Sequence, residues 1–269
     1  MVQSATTDVS PPHPLLTVLE VPRALAEYAG FTATSRLLSA CRSGHGRPVL
    51  VLPGLLADDR STRPLRRLLN SAGYAAYGWR LGTNVGPTRR IISGMDAALG
   101  EIADLRGEPA SVIGWSLGGM LGYDLASRHQ GAVDRVITLG SPLYSTDPRQ
   151  SRGSPFYDEY AAAHLPDYSR DSWRPPGVTS VPATSIFSKS DGIVRWETCV
   201  HPSGPLTENI EVYGSHCGLG FHPAAAYAIL DRLAVPTDPW RRFVPPAWLA
   251  MHFRTQPDTT RHSQASRIA

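Results

Sequence analysis

The sequence predicts an α/β domain in which helices cover both faces of a mostly parallel central sheet. Short apolar runs, among them 48–52, 111–114 and 133–139, have the β-branched and aliphatic content of strands buried on both faces. Stretches with helical apolar spacing alternate with these runs, an order that implies right-handed βαβ crossovers. One run, 111–114, ends in the turn Gly114-Trp115-Ser116-Leu117-Gly118-Gly119, and an apolar helical pattern leaves it. A strand-to-helix turn this sharp strains the backbone at its apex, and glycines two positions to either side let neighbouring chain approach.

In chain order, residues 1–13 carry Ser, Thr and Pro without periodicity and are expected to be disordered. Apolar residues at mixed helical spacing over 15–41, interrupted by Pro22 and Gly30, predict two short helices outside the sheet. The run 48–52 predicts a central strand. After it come a helix over about 62–72, with Pro64 in its first turn where a missing N–H costs little, and a strand over 74–79. A Gly-rich loop over 81–87 leads to a helix over about 88–105, strand 111–114, the helix after Ser116, and strand 133–139. The alternation then stops. Residues 143–181 hold several prolines and the aromatics Tyr144, Phe156, Tyr157, Tyr160, Tyr168 and Trp173, the composition of a lid or binding loop. Strands over 183–188 and 209–213 and a helix over about 223–233 resume the pattern. The aromatic stretch 240–253 is expected to dock on the domain, and 255–269 to fray, so that 14–254 form one domain.

A chain of 269 residues with 42% hydrophobic and 18% charged content can bury a sizeable core. The net charge is +3, and the cations are scattered arginines with Lys189 the single lysine, so no stripe suited to nucleic acid is present. There is no basic start followed by an apolar stretch at the N-terminus and no run long enough to span a bilayer, so a soluble, cytoplasmic protein is expected. Cys41, Cys199 and Cys217 lack zinc or redox spacing and are expected as free thiols, with a Cys199–Cys217 bridge as the alternative. No metal or cofactor motif appears: neither H-E-x-x-H, nor a Walker sequence, nor a dinucleotide glycine pattern.

A serine hydroxyl needs a general base to act as a nucleophile, and the base needs an acid to orient it. Asp191 follows the strand over 183–188, in Ser190-Asp191-Gly192-Ile193-Val194, and His216 follows the strand ending at Tyr213, in Gly214-Ser215-His216-Cys217-Gly218. Both lie just beyond carboxyl ends of strands, as Ser116 does. His201 and His222 are alternatives for the base, and Asp167, Asp171 and Glu197 for the acid. Amide donors for a developing oxyanion are expected at Leu117, directly after the serine, and at Leu55 in Pro53-Gly54-Leu55-Leu56. Trp115, Leu56, Tyr144 and Tyr157 are candidate substrate contacts.

Taken with Gly140-Ser141-Pro142, these motifs occur in the order found in bacterial α/β-hydrolases, and over roughly 46–235 the chain resembles the esterase/lipase family of that fold. The family's usual histidine before the oxyanion glycine is Pro53 here. The resemblance implies a Ser116, Asp191, His216 triad, an acyl-enzyme, no cofactor, and a small-molecule ester substrate of apolar or acyl-chain type. The elbow with Trp115 is similar to that of esterases acting on acyl chains and small methyl esters. A thioesterase, lactonase or acyltransferase could use the same triad, and a binding protein could retain the fold without catalysis.

Overall fold

The computed structural model describes residues 10–40, 43–145, 147–164 and 180–255. Among them are the strands β1 (Pro48–Leu52), β2 (Ala75–Gly78), β3 (Ala110–Trp115), β4 (Val133–Leu139), β5 (Ala183–Phe187), β6 (Thr207–Val212) and β7 (Phe253–Thr255). They form one sheet in the order β2-β1-β3-β4-β5-β6-β7. Every neighbouring pair is parallel except β6 and β7.

Successive strand side chains point to opposite faces, and β1 shows why its run is apolar throughout. Val49 and Val51 join one core, with the helices α2 (Glu20–Ala40), α3 (Asp59–Ser71) and α7 (Pro223–Ala234). Leu50 and Leu52 join the other, with α4 (Arg89–Arg106) and α5 (Leu117–Arg128). On α4 the buried residues Ile91, Met95, Leu99 and Ile102 recur at helical spacing and form one stripe. That helix starts at Thr88, whose side chain accepts from the Ile91 amide, and ends at Gly107 in the left-handed conformation.

Three expectations are corrected. Residues 14–40 form a five-residue α1 (Pro14–Val18) followed by one 21-residue helix, α2, rather than two short helices broken at Pro22 and Gly30. Pro22 falls in the first turn of α2, where its N–H would have no intrahelical acceptor, and Gly30 faces Pro223 of α7. Helix α3 begins three residues earlier than expected, capped by Asp58, which leaves Pro64 inside the helix instead of in its first turn. In the insertion, a 3₁₀ turn over Pro148–Gln150 and a helix α6 (Ser154–His164) replace the expected irregular loop. Residues 1–9, Cys41, the 165–179 part of the insertion, with Pro166, Asp167, Tyr168, Asp171, Trp173, Pro175 and Pro176, and 256–269 lie outside the described residues.

The 240–253 stretch does dock. Phe243 and Phe253 are buried against Tyr227 of α7, with their ring centroids 4.9 Å apart. Its end supplies β7, which closes the β6 edge. Among the described residues, no helix is long and apolar enough to cross a membrane.

Candidate active site

Three loops at the carboxyl ends of β3, β5 and β6 converge. At the first, Ser116 adopts φ 53° and ψ −121°, a region that only glycine enters freely, and its amide donates to Leu139 O at 2.8 Å. Gly114 makes this turn possible: a Cβ there would lie 2.3 Å from Gly118 O. Leu117 opens α5, so its amide has no intrahelical acceptor, and the positive end of the helix dipole lies at the same point.

At the second loop, Asp191 is 3% exposed. Its Oδ1 accepts from the amides of Ile193 (2.8 Å) and Val194 (2.7 Å), which leaves Oδ2 to accept from His216 Nδ1 at 2.6 Å. His216, at the third loop, is 7% exposed. Burial opposes its charged form, yet the Asp191 charge and hydrogen bond, together with the charge of Glu20, hold its pKa above the ordinary histidine value. Beyond the pair lies Gly140, with φ 54°; a Cβ there would meet His216 Nδ1 at 3.1 Å and Asp191 Oδ2 at 3.2 Å. The Gly140-Ser141-Pro142 turn therefore leaves room for the two side chains.

Ser116 is tied to the His216 loop through its neighbour. Trp115 Nε1 donates to His216 O at 3.0 Å, and the indole packs edge-on against Phe221. The hydroxyl of Ser116 has no hydrogen-bond partner among the described residues. The loop after β1 runs beside the serine: a Cβ on Gly54 would lie 3.4 Å from Ser116 Cβ. Leu55 and Leu117 have amides without a hydrogen-bond partner among the described residues. Asn84, fully buried, pins this loop, its Nδ2 donating to Pro53 O (2.8 Å) and its backbone carbonyl accepting from the Leu56 amide (2.8 Å). Leu56 itself has φ 57° and is 40% exposed.

Just before α6, Gly153 lies beside Leu55, and the Tyr157 ring of α6 lies against Gly86 in the loop that carries Asn84. Tyr144 instead directs its hydroxyl to His201 Nδ1, 3.1 Å away. His201, one alternative base, is buried with no carboxylate bonded to it among the described residues, and burial pushes its pKa down to about 4. His222, the other, caps α7 by accepting from the amides of Ala224 and Ala225. Glu197 pairs with Arg195 at 3.1 Å, and Asp167 and Asp171 lie outside the described residues. Cys199 and Cys217 are free thiols, and burial, then the Glu20 charge, pushes Cys217 up to about 12, so it stays protonated beside His216. Among the described residues no group of three or more His, Cys, Asp or Glu is placed to hold a metal ion. A concavity of about 540 Å³ between Ser10 and the 148–158 stretch borders none of Ser116, Asp191 and His216.

Comparison with solved structures gives the fold its name. Lipase B of Aspergillus fumigatus superposes with a TM-score of 0.54 at 17% identity, covering 73% of this chain and 56% of that one. One of the metagenome-derived lipolytic enzymes LipS and LipT superposes with a TM-score of 0.51 at 18% identity, covering 71% and 93%. The chain has the α/β-hydrolase fold. No family model matches this α/β-hydrolase chain. Over 157 residues it is 37% identical to a curated pimeloyl-acyl-carrier-protein methyl ester esterase of Aromatoleum aromaticum, a match covering 58% of the chain and 55% of the relative. The chain thus spans about half the length of that relative.

Two residues of this region carry no sequence motif. Asn84 sits in a Gly-rich loop whose composition signals only a turn. Glu20 lies near the start of α2, far along the chain from the loops it touches.

Proposed function

We propose that this protein is a serine carboxylic ester hydrolase acting on esters of apolar acyl chains, methyl esters among them. The observation that carries the reading is the strained Ser116 on a turn tied to the His216 loop by the 3.0 Å bond from Trp115 Nε1 to His216 O, beside a buried His216–Asp191 pair bonded at 2.6 Å. Ser116 Oγ attacks the ester carbonyl while His216 Nε2 takes its proton, and Asp191 holds the imidazole in the tautomer that leaves Nε2 free to do so. The carbonyl oxygen becomes an oxyanion held by the Leu55 and Leu117 amides at the α5 N-terminus. Collapse expels the alcohol, protonated by His216, and leaves the acyl group on Ser116. Water, deprotonated by His216, then attacks the acyl-enzyme and releases the acid. The bond from Ser116 to His216 closes once substrate is bound, since catalytic hydrogen bonds tighten in the complex.

Leu56, Tyr157 and the described part of the insertion supply the apolar wall for the acyl chain, which the partial exposure of Leu56 and the approach of Gly153 to Leu55 support. The relative's activity on a methyl ester supports the choice of leaving group. The test is a panel of p-nitrophenyl and methyl esters of graded chain length, run with a fluorophosphonate probe and peptide mapping. Turnover with the label on Ser116, both lost in Ser116→Ala, is expected. A label on another residue, or turnover retained by the variant, would overturn the reading.

A further inference from the structure

We propose that Glu20 is a positioning residue, which locks the Asp191 loop to the His216 loop and sets a second negative charge behind the imidazole. The inference rests on the triad reading above. Glu20 is 2% exposed. Its Oε1 accepts from the amides of Gly192 (2.7 Å) and His216 (3.0 Å), and its Oε2 from the amide of Cys217 (2.8 Å). Gly192 directly follows the acid, and His216 is the base itself, so one carboxylate bridges the backbone of both loops. No cation pairs with Glu20 among the described residues. A buried carboxylate held by backbone amides and the neutral Cys217 thiol, with no cation to offset its charge, acts on the nearest group able to become positive. Here that group is His216, which is positive in the transition state.

The same face of α1 and α2 grips both loops at further points. Thr17 Oγ1 donates to Gly192 O at 2.6 Å, and Arg23 donates to Ser190 O (2.8 Å) and to Ser190 Oγ (2.9 Å). Glu27 accepts from the Ser215 amide (2.7 Å) and from its hydroxyl (2.6 Å). Positions 20, 23 and 27 fall on one side of a helix. This cluster converts the N-terminal helix from a packing element into part of the frame that fixes the distance between acid and base. Among the described residues, the titratable and charged groups around His216 are Asp191 from the acid loop, Glu20 and Glu27 from α2, and Cys217 beside it, with Arg23 beyond Ser190 and His222 beyond Gly214.

The experiment compares the full chain with its Glu20→Gln and Glu20→Asp variants. It measures p-nitrophenyl butyrate hydrolysis across pH and titrates the His216 ring by NMR. Glu20→Gln is isosteric but uncharged, and its amide group faces the loop amides with donors. It is expected to lower kcat about tenfold with KM within about twofold of wild type. The acid limb of the pH profile and the NMR midpoint of His216 are expected to move down by about 0.5 in pH or more. A purely structural Glu20 would lower the yield or stability of folded protein and leave both midpoints unmoved. A folded Glu20→Gln protein with wild-type kcat or with an unmoved NMR midpoint overturns the proposal. If Glu20→Gln does not fold, Glu20→Asp decides, since it keeps the charge but is one methylene shorter: a wild-type midpoint with lowered kcat supports the proposal, and a lowered midpoint or an unchanged kcat overturns it. A wild-type protein that neither turns over the ester nor takes the fluorophosphonate on Ser116 refutes the triad reading instead, and the NMR midpoints still judge Glu20.

Discussion

Replacing Ser116 by glycine and by alanine separates the two roles of this position. Both substitutions delete the hydroxyl, which has no hydrogen-bond partner among the described residues, so neither leaves a new unsatisfied group behind. They differ in backbone freedom. At φ 53° and ψ −121° a side chain with a Cβ costs about 1–3 kcal/mol, whereas glycine is free of that penalty. Glycine also carries more unfolded-state entropy, a cost of roughly 0.5–1 kcal/mol. The difference leaves Ser116→Gly more stable than Ser116→Ala by about 1 kcal/mol. At an ordinary helical or extended position the sign would be reversed. Equilibrium urea unfolding, followed by circular dichroism, reads the effect as a higher midpoint for Ser116→Gly at an unchanged m-value. Both variants are expected to lose ester turnover. A glycine variant less stable than the alanine variant would mean that the elbow is not strained and that the turn at Ser116 has another conformation.

Asp191→Asn keeps the hydrogen-bonding shape but favours the wrong imidazole tautomer, and it is expected to lower kcat by a factor of about 10⁴, read by steady-state kinetics; a near-normal rate would move the acid elsewhere. The base must be neutral to act, and the His216 pKa is raised, so kcat/KM is expected to rise with pH along a limb centred above 6.5. A limb centred below that value would contradict the coupling to Asp191. His201 has the opposite sign: its folded pKa is depressed to about 4, so between about 4 and 6.5 the unfolded chain binds the extra proton and stability falls as pH falls. The loss over that window is on the order of 3 kcal/mol. His201→Gln is expected to flatten the acid slope of the urea midpoint by that amount, and an unchanged slope would assign the acid sensitivity to other groups. The contribution of His216 does not confuse this test, because it is fully present below 6.5 and is lost only as pH rises through the raised value.

What could be read from the sequence depended on whether a signal is local. The elbow, the apolar runs and the turns after β5 and β6 are each written within a few neighbouring residues, which is why the sheet, its parallel crossovers and the placement of Ser116, Asp191 and His216 beyond strand ends were legible. Strand β7 was not, because Phe253–Thr255 is short and gains its conformation only by pairing with the edge of β6. Helix α2 departs from the expected pair of short helices for a related reason: Pro22 and Gly30 break helices as isolated signals, yet one falls in a first turn and the other faces a neighbouring helix. The position of Tyr144 in the insertion suggests a substrate contact, while the bond from its hydroxyl to His201 spans a 57-residue separation that no local pattern records. Glu20 is the extreme case. Its partners are backbone amides 172 and 196 positions away, and a backbone amide carries no side-chain identity for a motif to record. An acidic residue in the first turn of a helix reads as a response to the helix dipole, and only burial without a cation, next to the two loops that hold His216 and Asp191, distinguishes it from that ordinary role.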